Sequence, residues 1–185
     1  RGPAVTLKLP RTLRLDPSDT FVFAQAAEPG EWAVTGTFLF LDGDPSQLTG
    51  KALTAFRSGF VGVSSLRFST LVVVSAASEE ERAGAEELLA RHIHERFGAP
   101  DREAARAAAR EELDVAASLC DLPVGSVVAL HRVATDGAIR EDFRTLHHRP
   151  GLDRSHGRAF LFVEDDEPEE QADLVGLLRD TTAGD

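Results

Sequence analysis

The stretch with the most evident chemical potential is residues 144–158, RTLHHRPGLDRSHGR. Guanidinium groups hold phosphate and carboxylate groups through paired, charge-assisted hydrogen bonds. The stretch therefore predicts a site for an anionic ligand or an acidic partner, made of its arginines and histidines: Arg144, His147, His148, Arg149, Arg154, His156 and Arg158. The alternative is a solvated surface loop whose positive charge offsets acidic residues elsewhere in the chain.

A histidine-based metal site is a third hypothesis for the same stretch. It would use His147, His148 and His156, but two adjacent histidines and a third eight residues later match no standard ligand spacing. His92 and His94 form an H-x-H pair on a predicted helix, where two residues lie about 200° apart around the axis. They cannot readily share one ion there, so we predict no metal and no cofactor.

Familiar catalytic motifs fail at single positions. The Gly50-Lys51 pair lacks the following hydroxyl and the earlier turn glycine of a phosphate loop, because Ala52 and Pro45 occupy those positions. The glycine-serine segment at 62–66 lacks the closing glycine of a nucleophile elbow, and the acidic turn at 42–44 lacks the later ligands of a calcium loop. Cys120 ends a predicted helix within its apolar stripe, which indicates a structural thiol. The sequence therefore favours a protein that is not an enzyme.

Composition limits the class of protein. The chain has 185 residues, 42% of them hydrophobic and 28% charged, which is ordinary for a globular domain. The net charge is −11, of which residues 164–185 contribute −8 with nine acids and one arginine, leaving −3 for the rest of the chain. A nearly neutral body argues against nucleic-acid binding. No apolar run approaches the roughly 20 residues that cross a bilayer, so no membrane partner is predicted.

The single cysteine excludes an internal disulfide and favours a cytoplasmic location. The chain begins with Arg1 and contains no methionine, so the sequence predicts that its natural start lies upstream.

The strands and helices that position these residues come in blocks along the sequence, rather than as strictly alternating strand and helix. This order predicts an α+β fold, a two-layer arrangement of a mixed or antiparallel sheet with two or three helices on one face. We predict strands at 7–15, 21–23, 32–41, 60–68, 70–76, 125–134, 138–146 and 159–163, with 71–74 central and 7–15 at an edge. Helices are predicted from Asp44, Ser78 and Asp101, the last two paired antiparallel. The segment at residues 78–81 has the pattern of a capping box, and Thr135-Asp136-Gly137 predicts the turn of a hairpin. The helix from Asp101 has a predicted buried stripe of mostly small residues: Ala105, Ala109, Leu113, Ala116, Ala117 and Cys120.

The predicted organisation is one α+β domain, residues 1–165, followed by a flexible acidic tail, residues 166–185. Acidic stretches with a few apolar anchors often recognise a basic groove, so residues 164–178 are a candidate contact for a protein partner. The preferred function is that of a non-catalytic accessory or protein-interaction protein. The alternative is a binding protein or enzyme for a small anionic ligand held by residues 144–158.

Several segments together resemble a known family. They are FVF at residues 21–23, AEPGEW at 27–32, LTGKA at 48–52, FGAP at 97–100, and AREEL at 109–113 with the Leu-Cys pair at 119–120. The set resembles a family of short alphaproteobacterial proteins known as a domain of unknown function, over about residues 7 to 165. The resemblance implies a bacterial, cytoplasmic, stand-alone protein and carries over no catalytic residues.

Overall fold

The computed structural model describes residues 6–148 and 162–164. Within these residues the chain forms eight strands and three α-helices, in the order β1 (Lys8–Leu13), β2 (Ala33–Val34), α1 (Gly50–Ser58), β3 (Phe60–Gly62), β4 (Phe68–Ser69), β5 (Leu71–Ala76), α2 (Glu79–Arg96), α3 (Arg102–Ser118), β6 (Val127–Thr135), β7 (Ala138–His148) and β8 (Phe162–Glu164). The predicted α+β class is confirmed, and every described strand pair is antiparallel.

The strands form two sheets. The large sheet has the order β1-β5-β6-β7-β8, and the small sheet has the order β2-β3-β4. The two sheets meet at β1, because Thr12 exchanges backbone hydrogen bonds with Glu31 and Gly30, and Arg11 forms a bridge with Trp32. The predicted edge strand containing Pro10 is confirmed within the large sheet, and β5 lies between β1 and β6 as its valine run predicts.

The β6–β7 hairpin carries the first residues of the predicted site. Its turn consists of Asp136 at φ 51° and Gly137 at φ 77°, both in the left-handed region that a two-residue hairpin turn requires. The Asp-Gly pair meets this requirement with little strain, and it fixes a register in which Ala129 pairs with Arg144.

The helices α2 and α3 form the predicted antiparallel pair. The Ser78 hydroxyl accepts from Glu81 N–H, and the Glu81 carboxylate accepts from Ser78 N–H, so the predicted capping box is confirmed. The predicted stripe of small residues on α3 is buried, which allows close approach: Ala105, Ala109, Leu113 and Ala116. None of the described helices is both long and apolar enough to span a bilayer.

Two core clusters lie on opposite sides of the small sheet. Val34 and Val61 belong to the first cluster, with Leu9 and the buried faces of α2 and α3. Ala33 and Phe60 belong to the second cluster, which the inner face of the large sheet completes: Val72, Val74, Val128 and Leu130, with Cys120. The small sheet is therefore packed between the helix pair and the large sheet.

Two strand predictions are wrong. Residues 21–23 end a 3-10 helix, Pro17–Phe21, because Asp16 caps it by accepting from Ser18 N–H. The predicted strand at 32–41 stops at Val34, because Gly36 takes φ 81° and a 3-10 helix, Thr37–Phe40, follows. The alternating aromatic residues are instead placed by ring contacts with distant elements, Phe38 against Phe97 and Phe40 against Phe56.

Other element boundaries also shift. The strand predicted at 60–68 is interrupted by a turn in which Leu66 has φ 56° and the Glu31 carboxylate accepts from the backbone and hydroxyl of Ser65. The helix predicted from Asp44 is divided into a 3-10 turn, Pro45–Gln47, and α1. In each case a side chain distant in sequence, or a local cap, outweighs the periodic pattern.

Candidate functional site

The structure places one predicted site residue with its side chain, Arg144, which is exposed on β7. The backbones of His147 and His148 continue β7 and pair with Val163 and Phe162 of β8. The other four predicted residues, Arg149, Arg154, His156 and Arg158, lie outside the described residues. The acidic segment 164–178 also lies outside them, apart from Glu164.

Arg144 borders an open groove of about 400 Å³. We call it the sheet groove; its lining residues are Ala129, Leu130, His131, Arg144 and Leu146. Ala129 faces Arg144 across the β6–β7 ladder, and cross-strand partners share one face of a sheet. The groove therefore combines aliphatic walls with one guanidinium group.

Ala129 and His131 of the sheet groove lie on the face of β6 opposite the second core cluster, whereas Leu130, the third lining residue on β6, belongs to that cluster. Along β6, Val128, Leu130 and Arg132 are buried, whereas Ala129 is half-buried and His131 is exposed. Ala129, His131 and Leu146 belong to neither core cluster of the described residues. The alternation of the strand thus separates a structural face from a face available to a ligand.

The structural face holds a buried guanidinium that the sequence analysis missed. Arg132 has no solvent exposure. Its Nη1 donates to Phe56 O at 2.6 Å, its Nη2 donates to Thr35 O at 2.7 Å, and its Nε lies 3.1 Å from Thr37 Oγ1 and 3.4 Å from Glu141 Oε1. This set of acceptors ties β6 to the end of α1 and to the chain after β2, and so fixes the strand that carries the groove.

Two carboxylates near Arg132, those of Glu112 and Glu141, have raised pKa values. Burial raises the pKa of Glu112 to about 7, helped by the negative charges of Glu141 and Glu111 and opposed by Arg132. Burial also raises the pKa of Glu141, although the Arg132 guanidinium and a Thr35 hydrogen bond act in the opposite direction. Burial lowers the pKa of Arg132, opposed by both Glu141 and Glu112. An arginine remains charged in proteins, so the carboxylates carry the titration.

The signal for Arg132 was present in the strand pattern. In the β6 sequence VVALHRVAT, a period of two places Arg132 on the same face as Val128 and Leu130. A charged residue on an apolar face predicts a buried, paired charge, and its partner Glu141 is the directly opposite residue of the hairpin. The role of Arg132 is structural, because each of its three guanidinium nitrogens donates to a protein acceptor.

The remaining sequence candidates have structural roles. Cys120 is buried, and burial raises the pKa of its thiol to about 12, so the reactive thiolate is suppressed at neutral pH. His92 is half-buried, and its Nε2 lies 3.2 Å from Ser64 O. Its Nδ1 is buried and has no hydrogen-bond partner among the described residues. Among the described residues, no three His, Cys, Asp or Glu side chains are grouped as metal ligands.

The described part of the chain is thus an α+β protein with two antiparallel sheets and an open groove on the outer face of the larger one. The chain belongs to a family of unknown function (DUF6505), which residues 7–158 match. The resemblance to a family of unknown function is therefore confirmed, and the match ends before the acidic tail. No curated protein and no solved structure matches the chain.

Proposed function

We propose that the protein is a non-catalytic interaction protein that binds an acidic segment of a partner protein in the sheet groove. The observation that carries the proposal is the groove itself, with a volume of about 400 Å³, aliphatic walls and the guanidinium of Arg144. A carboxylate of the partner would accept charge-assisted hydrogen bonds from Arg144 while apolar side chains cover Ala129 and Leu146.

The shape of the groove favours an extended segment over a compact molecule. The groove is open and follows the antiparallel pair β6–β7. Four of its five lining residues repeat at the two-residue spacing of strands: Ala129 and His131 on β6, Arg144 and Leu146 on β7. A segment laid over this surface would place alternate side chains against successive pairs.

The proposal also includes a cellular compartment and a second contact surface for a partner protein. The single cysteine cannot form an internal disulfide, which supports a cytoplasmic place of action. The resemblance of the sequence segments supports a bacterial one. Residues 164–178 carry negative charge and apolar residues, and they are the second candidate contact for a basic partner.

The experiment is a pull-down from the native host with three baits: wild type, Arg144→Glu and Arg91→Glu. Arg91 is an exposed arginine on α2, so the control makes the same charge reversal away from the groove. We expect Arg144→Glu, and not Arg91→Glu, to lose a specific protein, and the recombinant partner to bind Arg144→Glu at least about ten-fold more weakly in calorimetry. Equal retention by all three baits would contradict the proposal.

The alternative, a binding site for a small anion, is favoured by one observation. A volume of about 400 Å³ is within the usual range of ligand pockets. A thermal-shift screen with inorganic phosphate and citrate tests it, since a ligand that binds the native state raises the melting temperature. A rise that disappears in Arg144→Glu would replace the protein partner with a small anionic ligand.

A further inference from the structure

We propose that the sheet groove is occupied by the C-terminal segment of the same chain, with residues 174–178 on its aliphatic walls and the acidic residues before them beside Arg144. This inference deepens the proposed function, because it names one occupant of the same groove. The tail would then be an internal competitor for the partner.

The first argument is where the chain leaves the large sheet. The last described residue of β8, Glu164, pairs with Leu146 in the β7–β8 ladder. Leu146 is itself a lining residue of the sheet groove. The C-terminal segment therefore starts at the border of the groove.

The second argument is length. Leu174 is ten residues after Glu164, which allows about 33 Å of extended chain. β6 is two strands from β8 in the sheet, a lateral distance of about 10 Å. The tether is thus long enough to place Leu174 anywhere along the groove without tension, and short enough to give a millimolar effective concentration.

The third argument is complementary chemistry. Residues 165–173 contain six acids and no base: Asp165, Asp166, Glu167, Glu169, Glu170 and Asp173. The next five contain four aliphatic residues, Leu174, Val175, Leu177 and Leu178. This order of charge and then apolar surface matches a groove in which Arg144 adjoins Leu146 and Ala129.

The test is disulfide crosslinking in the full chain. The first variant joins Ala129→Cys in the groove with Leu177→Cys in the tail. The control joins Leu177→Cys with Thr135→Cys, an exposed position on the same face of β6 as Ala129 but outside the groove lining. Cys120 is buried and is retained in both variants. With oxidised glutathione as oxidant, we expect the intramolecular disulfide to form at least about ten-fold faster with Ala129→Cys, because docking raises the local concentration of the two thiols.

Charge reversal tests the role of Arg144. Adding Arg144→Glu to the Ala129→Cys variant should slow crosslinking to the control rate, whereas adding Arg91→Glu should leave it unchanged. Arg144→Gln serves as a milder variant if the reversed charge lowers the melting temperature. Equal rates for the two cysteine pairs, or no response to either change at Arg144, would overturn the inference.

Other occupants of the groove give distinct results. A disulfide-linked dimer would assign the groove to a second copy of the chain. If Ala129→Cys crosslinks faster with Ser155→Cys than with Leu177→Cys, the groove belongs to residues 149–161. Either result overturns the inference. The proposed function is tested separately, by the partner's response to Arg144→Glu.

If the tail docks in the groove, it competes with the partner. A chain carrying glycine and serine in place of residues 174–178 should therefore bind the partner at least about ten-fold more tightly than wild type.

Discussion

At the scale of single residues, Arg132 is the group on which the packing of β6 depends. Its guanidinium is buried, is hydrogen-bonded to Phe56 O and Thr35 O, and lies beside the half-buried carboxylate of Glu141. A buried charge of this kind is expensive to desolvate and is stabilising only while all its partners are present. Its removal should therefore affect stability far more than removal of the exposed Arg144.

The first prediction concerns Arg132→Met. The substitution keeps apolar bulk but leaves two buried carbonyls and the Glu141 carboxylate without their donor, so we expect a loss of about 3–5 kcal/mol in the free energy of unfolding. Urea unfolding measures it, with Arg144→Met as the control, for which we expect a change within about 0.5 kcal/mol. Comparable effects at the two positions would show that the hydrogen bonds of Arg132 are not needed for stability.

The second prediction concerns Glu112, whose pKa is raised by burial to about 7. Because the folded pKa lies above the unfolded value, the folded state binds the proton more tightly, and the contribution to stability is lost as the pH rises from about 4.5 through 7. Glu112→Gln replaces the carboxyl with an amide that does not ionise, so the variant does not lose this stability as the pH rises. We expect the variant to exceed wild type in stability at pH 8 by about 1–3 kcal/mol, and the difference to shrink toward pH 5.

Urea unfolding of wild type and Glu112→Gln across pH 5–8 is the measurement. Glu103→Gln is the matched control, since Glu103 is an exposed glutamate on the same helix and does not contribute to the raised pKa of Glu112. A pH dependence equal in Glu112→Gln and wild type would assign the titration to another group.

At the scale of elements, the close contact between the chain after β2 and strand β3 depends on a glycine. A Cβ at Gly36 would lie 2.2 Å from Val61 Cγ2, whereas a Cβ at Gly30 would have no neighbour within 4 Å. The two glycines have nearly equal positive φ, 81° and 84°. They therefore separate the effect of steric overlap from that of backbone strain.

The third prediction is that Gly36→Ala destabilises the protein by about 1–3 kcal/mol more than Gly30→Ala does, because only the first overfills the core. Both variants should share the cost of a side chain in the left-handed region, about 1 kcal/mol. Thermal or urea unfolding of the pair gives the difference directly. Adding Val61→Ala should reduce the penalty of Gly36→Ala, and an undiminished penalty would contradict the steric explanation.

Elements governed by local rules were predicted best. The α2 capping box, the small-residue face of α3 and the Asp-Gly hairpin are specified by residues close together in sequence. The strand predicted at 32–41 failed because the aromatic residues after Gly36 pack against Phe56 and Phe97, which no local pattern reveals. Of the seven predicted site residues, the structure describes the side chain of Arg144 alone, since residues 149–158 lie outside the described ranges, so the site stays a prediction.

At the scale of the whole molecule, the small sheet and β1 couple the two core clusters. Val34 and Val61 serve one cluster while their neighbours Ala33 and Phe60 serve the other, so neither cluster can open without exposing the second. Such sharing of strands favours a single cooperative unfolding transition.

The fourth prediction is that probes of the two clusters report the same transition. Trp32 packs against the first cluster and Cys120 belongs to the second. Tryptophan fluorescence and the labelling of Cys120 by a thiol reagent should therefore show the same urea midpoint. In the absence of urea, labelling at pH 8 should be slow, because the thiol is buried and burial raises its pKa to about 12. Separate midpoints would divide the chain into two folding units.

The sequence alone determined the α+β class, the helix pair, the hairpin and the charge contrast between residues 144–158 and the acidic tail, because these depend on periodicity, caps, turn residues and composition. The tertiary structure decided how the strands divide into two sheets, which face of β6 is buried, and that Arg132 is enclosed by distant carbonyls. Those features depend on contacts between residues up to 97 positions apart, such as Arg132 with Thr35. The energy of such contacts is absent from any local window of sequence.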